Sequence, residues 1–185
     1  EYEDDPSDTA HEVERMLEVV KLLGVDTPQR RLELWVPQED EAFIDGFFKG
    51  KGLSGDDLLV GINPNGYKNT NLWFEERFAR LADYLLEHYP AKVLLFSSRR
   101  DGERGQRIRK LMRTKENVVI VAGELTLRQY IAALRRVKLF VTLDSGPMHI
   151  AGVFNIATVA LFGAEDVNRF RPYQNPKAMI IQKEV

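Results

Sequence analysis

From residue 58 onwards, short apolar runs alternate regularly with longer amphipathic segments. The apolar runs are typical of strands covered on both faces of a parallel sheet, and the amphipathic segments have the spacing of helices that cover it. Right-handed crossovers would then give an α/β fold with a Rossmann-like, doubly wound parallel sheet. The predicted strands are 58–63, 92–98, 117–121, 138–143, 157–162 and 178–182, and the helices are 75–88, 103–114, 126–135 and 147–154.

The pattern before residue 58 is less regular. Thr9 and Glu12 have the spacing of a capping box, and apolar residues then recur at helical spacing until Gly24. Alternating apolar and polar positions predict a strand at 31–36, and a helix is predicted at 38–50. These elements are expected to form a linker helix with a flanking strand and helix.

Side chains with useful chemistry cluster directly after predicted strands, where a doubly wound sheet binds its ligand. The most informative segment is Asp144-Ser145-Gly146-Pro147-Met148-His149, which ends a strand and begins a helix. Backbone N–H groups and the positive helix end would meet there, and such a point suits a phosphate. The same residues are equally typical of ordinary N-cap and first-turn sequence, so both interpretations stay open.

Two other strand ends offer polar groups. The loop with Asn65, Gly66 and Lys68 could let the backbone approach a pyrophosphate while the lysine neutralises it. Asn-Pro-Asn-Gly is, however, also a strong turn sequence. Asp101 and Glu103 stand at a helix start, where one of the two could accept hydrogen bonds from a ribose or both could act only in capping.

Leu125 and Thr126 open a further predicted helix. Thr126 and Gln129 have the spacing of a second capping box, and Leu125 could border a base. His149 would lie in the first turn of its helix, where the macrodipole favours a neutral imidazole that donates to a phosphate or sugar, or merely packs. His11 is predicted to be a surface or boundary residue.

Composition excludes several classes of protein. The chain has 185 residues, 44% hydrophobic and 29% charged, which suits one moderate globular domain with some extra chain. Without cysteine there is neither a disulfide framework nor a thiolate metal site, and the three histidines are too scattered to bind a metal. No run of about 18 apolar residues predicts a membrane span. The first residue is not Met, which predicts a fragment or a processed product.

Charge is unevenly distributed. Acids dominate residues 1–60, whereas bases dominate residues 99–138. The basic block is typical of solvated helix faces, with contact to anionic lipid headgroups or a phosphorylated acceptor as the alternative. A nucleic-acid surface is disfavoured because aromatic residues are not interleaved with the bases.

Over residues 58–175 the chain resembles the carboxyl-terminal half of glycosyltransferase family 9, the lipopolysaccharide heptosyltransferase family. The matching segments are Gly61-Ile62-Asn63-Pro64-Asn65, Trp73, Phe78-Ala79-Arg80-Leu81-Ala82, the stretch from Phe140 to Ala151, and Val159-Ala160-Leu161-Phe162-Gly163. The resemblance implies a GT-B enzyme, in which two Rossmann-like domains face each other across a cleft. Residues 1–57 would link the domains, residues 58–185 would bind the nucleotide-sugar, and the amino-terminal acceptor domain would be absent.

The resemblance further implies an inverting, metal-independent and cofactor-free transfer from ADP-heptose or a related ADP-sugar to a lipopolysaccharide-type acceptor. Asp144 would bind the donor sugar, whereas Asp101 or Glu103 would bind the ribose. The implied donor-binding residues are Gly66, Tyr67, Lys68, Asn71, Asp101, Glu103, Leu125, Thr126, Asp144, Ser145, Gly146, Pro147 and His149. The catalytic base belongs to the other domain, so this chain alone is expected to be inactive. A cytoplasmic location at the inner face of the membrane is expected.

Two departures from the family pattern leave alternatives open. Asn71 stands where the family usually has a lysine, and the segments around the strand at 157–162 lack the usual Thr-Pro and Pro-Thr-Asp-Pro sequences. The donor could therefore carry a different sugar or base. A nucleotide-sugar epimerase of GT-B type and a non-catalytic nucleotide-binding module are the alternative functions.

Overall fold

A six-stranded, wholly parallel sheet forms the centre of the molecule in the computed structural model, which describes residues 9–66, 72–97 and 102–182. The strand order is β3-β2-β1-β4-β5-β6, so the chain changes direction across the sheet between β1 and β4. This order confirms the predicted Rossmann-like α/β fold. The strands are β1 Leu58–Asn63, β2 Ala91–Ser97, β3 Val118–Ala122, β4 Leu139–Leu143, β5 Ala157–Phe162 and β6 Ala178–Gln182.

Helices cover both faces of the sheet. They are α1 Glu12–Lys21, α2 Gln38–Gly50, α3 Glu75–His88, α4 Gly102–Leu111, α5 Leu127–Leu134, α6 Gly146–Val153 and α7 Val167–Phe170. From residue 38 onwards, every predicted helix and strand is present, with ends that differ by three residues or fewer, and α7 is an addition. The predicted helix at 103–114 ends early because the N–H groups of Arg113 and Thr114 donate to the buried Asp83 carboxylate at 3.1 and 3.0 Å.

The strands read as continuous apolar runs because neighbouring residues enter two different cores. On β2, Leu94 and Phe96 face the side covered by α2, α5 and α6, whereas Val93 and Leu95 face α3 and α4. All four side chains are fully buried. The first core also includes Ile44 and Phe48 of α2, so this helix packs directly on the sheet domain.

Glycine at position 61 is required by this packing. A Cβ atom there would lie 2.8 Å from the Phe140 ring and 2.9 Å from the Phe96 ring. These two rings meet edge to face at 5.9 Å directly over β1. The close packing of the two rings on Gly61 holds the Phe96 side chain in place near the carboxyl end of β2.

The region before α2 differs from the prediction in two ways. Residues 31–36 form no strand, and Trp35 is 81% exposed. Helix α1 is capped by His11, whose Nδ1 accepts from the Val13 N–H at 3.1 Å, so the predicted capping box at Thr9 is wrong. His11 is buried, and its Nε2 also donates to the Arg171 carbonyl at 2.7 Å, a contact that local sequence could not reveal.

Much of the basic block is paired within the fold. Arg135 and Arg136 both contact the Glu41 carboxylate of α2, and Arg107 lies 2.9 Å from Glu75 of α3. Arg113 lies 2.7 Å from Glu87. Ion pairs within the domain therefore account for part of the uneven charge, and contact with lipid or with a phosphorylated acceptor stays a prediction.

Candidate functional site

A cavity of about 500 Å³ opens at the carboxyl ends of β1, β2, β3 and β4, at the point where the strand order reverses. This is where an open α/β sheet binds its ligand, and the volume suits a nucleotide-sized molecule. Its lining consists of Asn63, Asn65, Gly66, Ser97, Val121, Gly123, Leu125, Thr126, Leu127, Tyr130, Ser145, Gly146, Pro147 and Ile150. Most of the polar members end or follow strands β1, β2 and β4, whereas most of the apolar members belong to β3, α5 and α6.

A hydrogen-bond network ties the polar strand ends together. The buried Asn63 amide nitrogen lies 3.0 Å from the Ser145 hydroxyl, 3.1 Å from the Thr142 hydroxyl and 3.2 Å from the Asn65 carbonyl. The Asn65 amide in turn lies 3.3 Å from both the Asn63 side-chain oxygen and the Phe96 carbonyl. The end of β1 is thereby joined to β2 and β4, which gives this side of the cavity a fixed shape.

Ser145 stands at the N-cap position of α6, but its side chain does not cap the helix. Its hydroxyl donates to the Leu143 carbonyl at 3.1 Å and also contacts Asn63. An N-cap serine usually accepts a hydrogen bond from a backbone N–H group of the first turn. Here the contacts with Asn63 and with the Leu143 carbonyl hold the Ser145 hydroxyl away from those groups. The positive end of α6 therefore faces the cavity without a serine cap, which favours the anion-site interpretation over simple capping.

Gly146, the first residue of α6, is exposed, and a Cβ built on it would meet nothing within 4 Å. Packing therefore does not demand glycine here, in contrast to Gly61. The open space lies at the helix end, where an incoming anion would approach the backbone.

Helix α5 also begins at the cavity, but side chains cap its end. Thr126 accepts from the Gln129 N–H at 3.3 Å, and the Gln129 side chain accepts from the Thr126 N–H at 3.0 Å. The predicted capping box is thus confirmed. Of the two helix ends at this cavity, α6 is the better place for a phosphate.

The remainder of the cavity is apolar. Val121, Leu125, Tyr130 and Ile150 contribute to it, and the Tyr130 ring packs edge to face on Phe96 at 5.1 Å. A flat, weakly polar group such as a nucleobase suits such walls. The cavity thus combines a site for an anion with a site for an aromatic ring.

The structure brings six of the predicted donor-binding residues together in the lining. They are Gly66, Leu125, Thr126, Ser145, Gly146 and Pro147. Four others, Tyr67, Lys68, Asn71 and Asp101, lie outside the described residues. What the six residues bind stays a prediction.

Asp144, Glu103 and His149 do not line the cavity. Asp144 directly follows β4, and its N–H donates to the Leu161 carbonyl at 3.3 Å. The Glu103 side chain is 94% exposed and lies 3.7 Å from Arg107 on the surface of α4. The geometry does not support a ribose contact by Glu103, whereas Asp144 remains adjacent to the lining through Ser145.

His149 lines a different cavity, beside α1. That cavity is bounded by His11, Met16, Leu17 and Phe170 among others. Burial lowers the pKa of the His149 imidazole, and the neighbouring His11 lowers it further. The predicted neutral imidazole thus has burial as its main cause, and the position of the ring does not support contact with a diphosphate.

The implied donor-binding set omits several residues of the lining. Asn63, Asn65, Ser97 and Gly123 nevertheless lie at the ends of predicted strands or directly after them, which is where the sequence places a ligand. Val121, Tyr130 and Ile150 occupy apolar positions of a strand and two helices, which sequence cannot distinguish from core positions. Leu127, the first residue of α5, was also missed.

Among the residues that the structure describes, no group of three or more His, Cys, Asp or Glu side chains is arranged to hold a metal ion. No helix in the described ranges is long and apolar enough to cross a membrane.

Solved structures share this architecture. The glycosyl transferase family 9 protein of Veillonella parvula superimposes with a TM-score of 0.87 at 30% identity, over 96% of this chain and 51% of that chain. The Escherichia coli ADP-heptose lipopolysaccharide heptosyltransferase II superimposes with a TM-score of 0.71 at 28% identity, over 84% of this chain and 47% of that chain.

Sequence comparison agrees with the structural similarity. Lipopolysaccharide heptosyltransferase 2 of Escherichia coli K12 is 30% identical over 162 residues, which are 85% of this chain and 45% of that protein. The chain therefore spans about half the length of the curated relatives that it matches. The model of glycosyltransferase family 9 (heptosyltransferase) matches residues 2–185. The chain belongs to glycosyltransferase family 9, the heptosyltransferase family.

Proposed function

We propose that this chain is the donor-binding half of a GT-B heptosyltransferase and that its cavity holds an ADP-sugar. The observation that carries the proposal is the α6 end, which Ser145 leaves without a side-chain cap where it meets the cavity. An anionic diphosphate is stabilised at such a point, and the apolar walls of Val121, Leu125 and Ile150 suit the base.

The adenine base and the heptose are proposed on the names of relatives. One structural neighbour, 28% identical, is named an ADP-heptose lipopolysaccharide heptosyltransferase. A sugar other than heptose is also compatible with this proposal. The described lining provides the α6 end for a diphosphate and apolar walls for a base, and the proposed sugar ligand Asp144 lies outside it. Asp144, next to Ser145, is the proposed ligand of the donor sugar.

The proposed reaction is an inverting displacement at the anomeric carbon. The acceptor oxygen forms a bond to this carbon while the bond from the carbon to the diphosphate oxygen breaks, and ADP leaves with the bonding electrons. The acceptor proton goes to a base, which we place in the other domain. The α6 end stabilises the charge that develops on the departing diphosphate, and this supports a reaction that needs no metal.

Calorimetric titration of this chain with ADP, GDP, UDP and ADP-heptose tests the donor site. We expect saturable binding, with the adenine nucleotides preferred. Gly146→Asp should abolish it, because a carboxylate in the first turn favours the helix but repels a diphosphate. Gly46→Asp in α2 is the matched control, since a Cβ atom at Gly46 also meets nothing within 4 Å and this glycine lies away from the cavity. Absence of binding by any nucleotide at millimolar concentration would contradict the proposal.

The transfer reaction is tested in a full-length enzyme that carries this chain together with an acceptor-binding domain. Asp144→Ala should abolish transfer to a lipopolysaccharide-type acceptor while ADP still binds. Unchanged transfer would refute the role of Asp144. The epimerase alternative is not favoured by the family match, and product analysis separates it, because an epimerase would release a free isomerised sugar.

A further inference from the structure

The two faces of the sheet are covered to different extents. On the face where α3 and α4 pack, the core contains residues of β1, β2, β3 and β4 together with apolar residues of the two helices. On the opposite face, Ala160 of β5 and Ile180 of β6 pack with Met148 of α6 and Phe170 of α7. Strands β5 and β6 are therefore covered on the α6 face, and the question is what covers them on the α3 face.

Two rows of apolar side chains cross the sheet on the α3 face. In the order β4, β5, β6, the first row is Val141, Val159 and Met179, and the second is Leu143, Leu161 and Ile181. Exposure rises along both rows: the β4 residues are buried, the β5 residues are half-buried, and on β6 Met179 is 61% and Ile181 51% exposed. No described helix therefore covers the β6 end of the rows.

Strand β6 has the sequence of a strand that is buried on both faces. Ile180 packs on the α6 face, and Met179 and Ile181 point to the α3 face because successive side chains of a strand alternate. Wholly parallel sheets occur almost only where both faces are covered, and contiguous exposed apolar residues mark an interaction site. The open face of β5 and β6 is thus expected to pack against another element.

The size of the open face matches one α-helix. Two neighbouring strands are about 10 Å wide, which equals the diameter of a helix with its side chains. Two helices, α3 and α4, share the four other strands on this face, so a third helix would extend the same layer. The five residues of β6 span about 17 Å, a length that three turns of helix would cover.

The described helices that precede the sheet are held in other places. Helix α1 is tied to the segment around α7, because Arg169 lies 2.6 Å from Glu12 and His11 donates to the Arg171 carbonyl. Helix α2 packs in the core on the α6 face. The curated relatives, however, are about twice as long as the stretch that they share with this chain. The rest of such a polypeptide is available to supply the helix.

We propose that an amphipathic helix of the same polypeptide, from outside residues 1–185, packs on the open face of β5 and β6. Its apolar stripe would lie on the two rows, and its other side would be polar. Right-handed crossovers place α6 and α7 on the opposite face, so this helix does not lead to a seventh strand beside β6. The inference goes beyond the proposed function and does not depend on the donor site.

Thiol labelling compares this chain with a full-length enzyme that contains it. The chain has no cysteine, so Met179→Cys places a single thiol on the open face, and cysteines elsewhere in the full-length enzyme are replaced by serine. A maleimide should react at least about tenfold more slowly in the full-length enzyme, because a covered thiol reacts only while the helix is displaced. Gln106→Cys, exposed on α4, is the control and should react equally fast in both.

Two outcomes of the labelling would overturn the inference. Equally fast reaction of Met179→Cys in both proteins would show that the face stays open. Slow reaction in this chain alone, at concentrations where sedimentation shows a doubled mass, would assign the face to a second copy.

Cross-linking identifies the covering segment. With p-benzoylphenylalanine introduced in place of Ile181 in the full-length enzyme, irradiation should link this position to a peptide from outside residues 1–185. Apolar residues of that peptide should recur at helical spacing. A link to a peptide within residues 1–185, or to one whose apolar residues alternate as in a strand, would contradict the proposal.

A polar substitution provides a separate test. Ile181→Asp should lower the urea midpoint of the full-length enzyme more than that of this chain, because the carboxylate would be buried only where the helix is present. Gln106→Asp should have the same small effect in both proteins. Equal shifts of the midpoint by Ile181→Asp in the two proteins would refute the covering helix.

Discussion

Asn63→Ala should weaken both the fold and the donor site. The Asn63 amide nitrogen reaches three acceptors within 3.2 Å, among them the Ser145 hydroxyl. In its absence, Ser145 loses one of the contacts that hold its side chain away from α6, and the bond to the Leu143 carbonyl remains. We expect the hydroxyl to rotate into the usual N-cap position and to occupy the helix end that the diphosphate needs.

The structure sets the size of both effects. An amide group has two N–H bonds, so two of the three contacts are made at one time, and their loss costs about 2 kcal/mol of unfolding free energy. A protein of this size would then melt about 4–8 °C lower. A new Ser145 cap is worth about 1 kcal/mol, and displacing it weakens nucleotide binding about fivefold.

Urea unfolding and calorimetric titration with ADP measure the two effects. Gln106→Ala, an exposed residue of α4, is the control and should change stability by less than about 0.5 kcal/mol. The double variant Asn63→Ala/Ser145→Ala should recover ADP affinity, because no hydroxyl remains to cap the helix. The reasoning is refuted if Asn63→Ala binds ADP as tightly as wild type, or if the double variant binds no better than the single one.

Three further predictions concern the scaffold. Gly61→Ala should destabilise the protein by about 1–3 kcal/mol in urea, because its Cβ would lie within 3 Å of two rings, whereas Gly46→Ala in α2 should be neutral or stabilising. A stable Gly61→Ala protein would contradict the packing account. Thr126→Ala should cost about 1 kcal/mol through the lost cap of α5, and no loss in urea would count against the capping box. The lowered pKa of His149 means that the unfolded state binds its proton more readily, so stability is lost as pH falls below about 6.5. His149→Gln should therefore lose less stability between pH 7 and 5 than wild type or His88→Gln, and equal losses in all three would refute this.

The sheet was predictable because its strands are buried on both faces. Each residue of β2 enters a core on one side or the other, which produces an unbroken apolar run that amphipathic helices and surface loops do not show. The alternation of apolar and polar residues at 31–36 was misleading, because these residues form no strand. A strand needs a neighbouring strand to pair with, and a local pattern of polar and apolar residues does not provide one.

The candidate site was predictable where it depends on topology. Ser145 and Gly146 were identified because they follow a strand at the edge where parallel sheets bind ligands. The direction of individual side chains was not predictable. His149 faces α1 through tertiary packing, and Tyr130 has the sequence signature of an ordinary core residue. The His11 cap depends on Arg171, which is 160 residues away.

The central claim is that a nucleoside diphosphate binds with its phosphates at the amino end of α6. Amide chemical shifts of the ¹⁵N-labelled chain during titration with ADP, and separately with pyrophosphate, test it most directly. Both ligands should shift the Gly146 amide resonance saturably and with the same dissociation constant as calorimetry, whereas Gly46 in α2 should not respond. Saturable ADP binding that leaves Gly146 unmoved, or that shifts the first turn of α5 in its place, would contradict the account.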